Sequence, residues 1–270
     1  TADTLAPTLT SSTPSDDATG VAVTDNIVLT FSENVQAGSG NIVISDGASD
    51  TRTIAIGDAQ VSISGATVTI NPTADLNSST SYYVQVAATA VEDTSGNAYA
   101  GISNTTTLNF TTADVIAPTA VFDPVNGGVN VAVDANITIT FSEAIRLLND
   151  SALDNTSVDA LVTLKDSNSS GANIAFDATI SGNVITINPS NDFSLSQQVY
   201  VSLGATVEDT SDNAYSGGAA TFTVTATIST PATEFADHEA TIRRQIQTVA
   251  LQSIRNSVQE ATDFMILARE

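Results

Sequence analysis

The feature that most constrains this sequence is that long stretches of it occur twice, in the same order. The stretch "VAVTDNIVLTFSE" at 21–33 returns as "VAVDANITITFSE" at 131–143, and "VEDTSGNAY" at 91–99 returns as "VEDTSDNAY" at 207–215. The offset between the copies is 110 residues for the first pair and 116 for the second. An ordered recurrence of this length is typical of a tandem duplication.

The duplication divides the chain into parts. The growth of the offset places insertions in the second copy between Phe141 and Asn188, and we expect them to lie in loops. The sequence therefore predicts two homologous domains, residues 1–113 (the first repeat) and 114–228 (the second repeat). A different segment, residues 229–270, follows them.

Each repeat has the amino-acid composition that is typical of short strands joined by polar turns. Thr, Ser, Val, Ile, Asn and Asp are abundant, and in "NIVLTF" the residues Ile27, Leu29 and Phe31 alternate onto one face. Seven or eight short strands in about 110 residues predict an all-β fold of two tandem immunoglobulin-like β-sandwiches. With no cysteine in the chain, packing must hold the sheets together. The strands predicted in the first repeat are Thr8–Ser12, Asn26–Ser32, Asn41–Ser45, Thr51–Ile56, Val61–Ser64, Thr67–Asn71, Ser81–Ala88 and Thr106–Thr112.

Three motifs in fixed order carry a family resemblance. The stretches "NIVLTFSENV", "TVTINPTADLNSSTSYYVQV" and "EDTSGNAYAG", and their counterparts in the second repeat, resemble the bacterial Ig-like domain of S-layer proteins and very long repeat adhesins. The resemblance covers residues 1 to about 226. It implies an extracellular module, usually in tandem, often with calcium near domain junctions, and without catalytic activity.

The charge of the chain is strongly acidic and unevenly placed. The formal net charge is −23, and residues 1–230 hold 24 acidic residues against three basic ones (Arg52, Arg146 and Lys165). Such a field disfavours nucleic acid and anionic lipid as partners, whereas divalent cations are natural counter-charges. The alternative interpretation is that the acidity only keeps a secreted surface soluble.

Acidic residues recur where the topology of a sandwich gathers loops at one pole. We expect the entry to each repeat, the end of "FSE" and the "VED" loop to meet there. Carboxylate oxygens are the ligands that calcium prefers, so we predict one Ca²⁺ in each repeat. The predicted ligands are Asp3, Glu33, Glu92 and Asp93 in the first repeat, and Asp114, Glu143, Glu208 and Asp209 in the second.

One position in the chain serves as an internal control for this prediction. Thr227 stands where the pattern would place the counterpart of Asp114, and no third Ig-like repeat follows it. The competing interpretation is that Glu92 and Asp93 are solvated loop residues beside ordinary turn residues. Tyr99 and Tyr215 are then expected to pack on the loop.

The sequence has few of the residues and motifs that enzymes use for catalysis. His238, the only histidine, lies outside both repeats, and a chain without cysteine or tryptophan has neither a thiol nucleophile nor a tryptophan sugar platform. There is no phosphate-binding loop and no dinucleotide-binding fingerprint. We therefore predict a protein without catalytic or cofactor-binding residues.

The C-terminal segment has a helical pattern. From Pro231 its apolar residues are spaced mostly by three or four, which predicts an amphipathic α-helix of up to about 55 Å. No run approaches the roughly 18 apolar residues of a membrane span. We expect the helix to pack against copies of itself, another part of the parent chain, or the flank of the second repeat. The apolar residues that form this pattern are Phe235, Ile242, Ile246, Val249, Ile254, Val258, Ala261 and Met265.

These observations lead to two hypotheses of function. The first is a non-catalytic structural or adhesive module of a bacterial cell-surface protein, a tandem stalk stiffened by calcium and joined to further repeats. The alternative is a self-assembling S-layer or filament subunit that associates through residues 231–270. A third possibility, a module that recognises glycan or a host surface through exposed loops such as 145–160, has little to support it. All of them place the protein outside the cell.

Overall fold

The structure is a computed structural model, described here over residues 3–226. The predicted helix within 229–270 and the control position Thr227 lie outside these residues. The first repeat contains eleven strands: β1 (Leu9–Thr13), β2 (Ala18–Val21), β3 (Ile27–Phe31), β4 (Val35–Ala37), β5 (Asn41–Ser45), β6 (Thr51–Ala55), β7 (Val61–Ser64), β8 (Thr67–Ile70), β9 (Ser81–Val86), β10 (Val91–Asp93) and β11 (Asn109–Thr112).

These strands form two packed sheets and a short ribbon. One sheet has the order β1-β3-β8-β7, the other β2-β11-β9-β5-β6, and β4 pairs with β10. The pairing is antiparallel except for β2 and β11, which run parallel. Side chains from both sheets, among them Leu29, Val68, Ile44, Val84 and Phe110, form one buried cluster. The alternation of apolar and polar residues thus produces the predicted sandwich.

All eight strands predicted in the first repeat are present, and their ends differ from the prediction by at most three residues. Three short strands, β2, β4 and β10, were not predicted. Each has only three or four residues and lacks the two large apolar residues, two positions apart, that mark a strand such as β7.

The second repeat contains ten strands and one helix: β12 (Ala120–Asp123), β13 (Val131–Ala132), β14 (Ile137–Phe141), β15 (Arg146–Leu147), α1 (Asn155–Leu161), β16 (Val162–Asp166), β17 (Phe176–Ser181), β18 (Val184–Pro189), β19 (Gln198–Leu203), β20 (Val207–Glu208) and β21 (Gly218–Ala226). Two four-stranded sheets, β12-β14-β18-β17 and β13-β21-β19-β16, contribute buried side chains such as Ile139, Ile187, Val201 and Phe222. The described residues are therefore all-β apart from one short helix.

Helix α1 corrects the prediction that all the inserted residues lie in loops. Asp154 caps its N-terminus, with the side chain accepting hydrogen bonds from the amides of Thr156 and Ser157. The side chains of Asn155 and Asp159 accept from the amides of Ile180 and Ala178 in β17 (3.0 and 2.7 Å). The insertion thus covers the outer edge of a strand whose backbone would otherwise be open to pairing.

By its internal contacts the chain divides into two units. The first comprises Thr1–Thr119 together with Glu143–Ala152 and Ala205–Ser216, and the second comprises Ala120–Ser142, Leu153–Gly204 and the described residues from Gly217 onward. The β15–β20 ribbon is grouped with the first unit. Within residues 3–226 no helix has the length and apolar character needed to cross a bilayer.

Candidate metal centre

The two carboxylates of "VED" in the first repeat face different ways because they lie on a strand. In the β4–β10 ribbon, Asp93 pairs with Val35 and Glu92 pairs with Gln36. Adjacent residues of a strand point to opposite faces. The Glu92 carboxylate accepts a hydrogen bond from Gln36 Nε2 (2.9 Å), whereas Asp93 is 1% exposed. Only Asp93 therefore turns toward the other acidic residues.

Asp93 holds the turn that follows it. Its Oδ1 accepts hydrogen bonds from the amides of Ser95 (2.8 Å) and Asn97 (2.7 Å), and its Oδ2 accepts from Asn97 Nδ2 (2.7 Å). Gly96, at the turn position between these residues, has a φ of 86°, a backbone conformation that glycine adopts without steric cost. The aspartate and the asparagine thus hold the turn by hydrogen bonds, and the residue between them takes a positive φ.

Asn97 also reaches the chain entering the repeat. Its Nδ2 donates to the carbonyl oxygen of Asp3 (3.2 Å), and the Asp3 carboxylate accepts from the amide of Leu5 (3.0 Å). Oxygen atoms from the carboxylates of Asp3, Glu33 and Asp93 lie within 4.8 Å of one another. The structure therefore brings together three of the four acidic residues predicted for the first repeat.

The pKa shifts in this first cluster differ in sign. Desolvation, and then the charges of Asp3 and Asp93, raise the pKa of Glu33. Desolvation acts in the same direction on Asp93, but the hydrogen bonds from Asn97 and Ser95 outweigh it and lower the Asp93 pKa. Glu33 is thus the carboxylate whose ionisation the cluster disfavours.

The second repeat reproduces this arrangement. Asp209 Oδ1 accepts from the amides of Ser211 (2.7 Å) and Asn213 (2.9 Å), and Asp209 Oδ2 accepts from Asn213 Nδ2 (2.8 Å). Asn213 Nδ2 also donates to the carbonyl oxygen of Asp114 (3.2 Å). Asp212, at the position of Gly96, has a φ of 69°, so the two repeats share the turn geometry.

The corresponding second cluster consists of Asp114, Glu143 and Asp209, again with carboxylate oxygens within 4.8 Å of one another. Asp114 differs from Asp3 in its surroundings, because its carboxylate accepts a hydrogen bond from Ser78 Oγ (3.0 Å) as well as from the amide of Ile116 (3.0 Å). Desolvation raises the Asp209 pKa, but the bonds from Asn213 and Ser211, aided by the charge of Arg146, lower it overall.

A third group of acidic residues is paired with an arginine side chain. Asp150, Glu208 and Asp212 lie close together, and the guanidinium of Arg146 pairs with all three, at 2.8 Å from Asp150 and 3.2 Å from Glu208. Arg146 pairs with Glu208 across the β15–β20 ribbon as Gln36 pairs with Glu92 in the first repeat. An arginine at this position supplies the counter-charge, so this group is not a metal candidate.

Six of the eight predicted ligands therefore lie in two equivalent clusters, and Glu92 and Glu208 lie outside both. Calcium takes about six to eight oxygen ligands, and three carboxylates per cluster supply up to six. In each repeat, however, the aspartate that holds the turn already accepts three hydrogen bonds from the chain. The donor set fits a calcium ion that is completed by further oxygens.

The tyrosine that occurs in both copies of the motif belongs to the core. Tyr99 is buried and packs edge-on against Phe31, with ring centroids 5.1 Å apart, and Tyr215 is likewise buried. Their backbone amides donate to the carbonyls of Val91 and Val207 (2.8 and 2.9 Å). The motif thus closes its turn with an anchor in the sandwich.

Two kinds of residue that contact the predicted ligands at these sites were not predicted. The first kind is the asparagine of the turn, Asn97 or Asn213, which links the turn to the entering chain. The second kind is the partner of the glutamate: Gln36 donates a hydrogen bond to Glu92, and Arg146 forms an ion pair with Glu208. The asparagine was visible in both copies of the motif. The second kind follows only from the unpredicted β4–β10 and β15–β20 pairings.

Comparison with known proteins gives a family match and two distant structural likenesses. A family profile described as "Bacterial Ig-like domain" matches residues 3–112 and 114–227. The fibronectin(III)-like modules of Clostridium thermocellum CbhA align with 82% of this chain and 94% of their own, at 13% identity and a TM-score of 0.23. The N-terminal part of the bacterial S-layer protein SbsC aligns with 81% of this chain and 44% of its own, at 14% identity and a TM-score of 0.29.

At these TM-scores neither structural likeness carries an argument. Among curated proteins, no significant match to the sequence is found.

Proposed function

The chain belongs to the bacterial Ig-like domain family, and from this premise we propose that it is a non-catalytic structural module of a bacterial cell-surface protein. Its two repeats serve as consecutive segments of a stalk outside the cell. The acidic surface suits a compartment where divalent cations are plentiful, since 24 of the 30 acidic residues precede residue 231.

We further propose that each repeat binds one calcium ion at its acidic cluster. The observation that carries this proposal is the repetition of the same cluster, Asp3 with Glu33 and Asp93, and Asp114 with Glu143 and Asp209. Three carboxylates in so small a volume repel one another, and a divalent cation removes that repulsion. Desolvation raises the pKa of Glu33 most, and the charges of Asp3 and Asp93 raise it further, which is consistent with repulsion within the cluster.

The position of the ligands in the chain gives the ion a mechanical role. Asp3 and Asp114 both precede the first strand of their repeats, β1 and β12. An ion shared by such a residue and the loops of the following repeat restrains the connecting segment. Calcium therefore reduces the freedom of the chain where one repeat joins the next.

A calcium titration of three variants tests the proposal. Glu33→Gln and Glu143→Gln each remove one carboxylate from a cluster, so each is expected to abolish one of two binding events seen by isothermal titration calorimetry. Glu92→Gln is the matched control, because Glu92 lies next to Asp93 but contacts Gln36 instead. Two sites retained in Glu92→Gln, and one in each cluster variant, is the expected result.

The proposal is wrong if the unmodified chain gives no calcium-dependent heat and no calcium-dependent rise in melting temperature. It is also wrong for the assigned residues if Glu92→Gln weakens binding as much as Glu33→Gln does.

A further inference from the structure

The second repeat begins with three valines that face solvent. Val121, Val125 and Val129 are 65%, 57% and 63% exposed, although valine is ordinarily a core residue. Val125 and Val129 line a shallow groove of about 340 Å³ together with Asp123. Val121 and Asp123 are two residues apart on β12, so they share one face of that strand. The three valines thus belong to one continuous surface, which we call the valine surface.

The first repeat has the same surface with different chemistry. Strand register matches Ser11 to Val121, because Ser11 pairs with Thr30 and Val121 pairs with Thr140 at the equivalent places of "NIVLTF" and "NITITF". Ser15 and Thr19 stand one and five residues after Pro14, as Val125 and Val129 do after Pro124. Ser11, Ser15 and Thr19 are all exposed. The equivalent positions are thus exposed in both repeats, but they carry hydroxyl side chains in the first repeat and apolar side chains in the second.

The last described strand ends beside this surface. In the parallel pairing of β21 with β13, Val224 lies opposite Val131 and Ala226 lies opposite Ala132, which also lines the groove. Thr225 Oγ1 is 3.2 Å from Oδ1 of Asn130, the residue that follows Val129. The chain therefore leaves the second repeat next to the valine surface.

The segment that leaves there carries an apolar stripe without an assigned partner. Its apolar residues from Phe235 to Met265 are spaced mostly by three or four positions, the pattern of a helix with one apolar face. Only the second repeat is followed by such a segment, and only the second repeat has the valines. We propose that the apolar stripe of residues 231–270 packs in cis on the valine surface of the same chain.

The length of the connecting chain favours this occupant. The eight residues 227–234, between the end of β21 and Phe235, span up to about 26 Å when extended, which makes the contact a local one. Arg243 and Arg244 flank the first apolar positions of the segment, and Asp123 lies at the groove. Residues 231–270 hold six acidic residues against four arginines, so the segment has no net positive charge, and only this arginine pair offers a local counter-charge to the acidic repeat.

Cysteine cross-linking tests the contact, because the chain has no cysteine of its own. In the full chain, Val129→Cys is combined in turn with Ile242→Cys, Ile246→Cys and Val249→Cys, and each pair is oxidised at low protein concentration. The matched control replaces Val129→Cys by Thr19→Cys, the equivalent position of the first repeat. Cross-links within one chain, formed at least about tenfold faster with Val129→Cys than with the control, are the expected result, since proximity raises the effective concentration of the thiols.

Disulfide-linked dimers as the main product would overturn the proposal and make a second copy the occupant. Equal rates for Val129→Cys and Thr19→Cys, or no cross-link with any pair, would also overturn it.

Hydrogen exchange provides a second test that does not depend on choosing a contact pair. The triple variant Val121→Ser, Val125→Ser, Val129→Thr gives the second repeat the side chains of the first. In the full chain it is expected to accelerate amide exchange in residues 231–270 by about tenfold, whereas Leu195→Ser, at another exposed apolar residue of this repeat, leaves it unchanged. Unchanged exchange in the triple variant contradicts cis packing.

Discussion

At the scale of single residues, Glu33 and Asp93 of the first cluster have pKa values that are shifted in opposite directions. Desolvation, followed by the charges of Asp3 and Asp93, raises the pKa of Glu33, so the folded protein disfavours the ionised carboxylate. Asp93 has a lowered pKa because the hydrogen bonds from Asn97 and Ser95 outweigh desolvation. Its contribution to stability is present above the unfolded pKa of about 3.9 and is lost as the pH falls through the folded value.

This difference predicts that calcium binding at the first cluster weakens as the pH falls through the raised pKa of Glu33. Calcium binds the ionised carboxylate, so protons compete with it. Titration calorimetry at several pH values between 7 and 4.5 is expected to show falling affinity, with proton release on binding at the lower pH values. Glu33→Gln serves as the control. Because this variant is expected to lose the first site, any pH-dependent binding that disappears with it belongs to the first cluster. Constant affinity over this range contradicts the assignment.

At the scale of secondary structure, the β4–β10 ribbon explains why one predicted ligand of the first repeat lies outside the cluster. Sequence reasoning treated "VED" as part of a loop and gave both carboxylates one role. Three residues are too few to reveal an alternating pattern, but in a strand that alternation separates Glu92 from Asp93. The longer strands were predictable because five or six alternating residues leave one interpretation, as in Ile27–Phe31.

The convergence of distant residues was predictable for a related reason. A sandwich of known strand order gathers alternate loops at one pole, so the approach of Asp3 and Glu33 to Asp93 follows from topology. Helix α1 was not predictable in the same way. Its seven residues contain one buried apolar side chain, Val158, and its position depends on hydrogen bonds to β17 that are distant in sequence.

The β15–β20 ribbon leads to a prediction about Arg146. Arg146→Ala removes the partner of Glu208, a carboxylate with only 9% of its side chain exposed, so it is expected to destabilise the protein by about 2 kcal/mol. Arg146→Gln recreates the pairing of Gln36 with Glu92 and is expected to cost about half as much, near 1 kcal/mol. Urea unfolding measures both, and equal losses from the two variants contradict this interpretation.

At the scale of the whole molecule, the proposed second site predicts a calcium-dependent change in solution. Asp114 is the first residue of the second matched region, 114–227, which follows directly after the first, 3–112. Removal of calcium by EDTA is expected to broaden the distribution of distances measured by small-angle scattering, because the joining segment gains freedom. Glu143→Gln, which affects only the second cluster, is expected to show the same broadening in calcium. Identical scattering with and without EDTA contradicts the stiffening role.

The parallel strand pair in each repeat has a mechanical consequence. Strand β11 runs parallel to β2, and β21 runs parallel to β13, so an early and a late segment of each repeat lie side by side and point the same way. A pull that reaches this pair from the two ends of the repeat draws the strands past each other, and their hydrogen bonds are loaded in shear and together. An antiparallel hairpin pulled from its open end breaks one bond at a time. The hydrogen bonds between these two strands therefore resist tension along the chain together, rather than one after another.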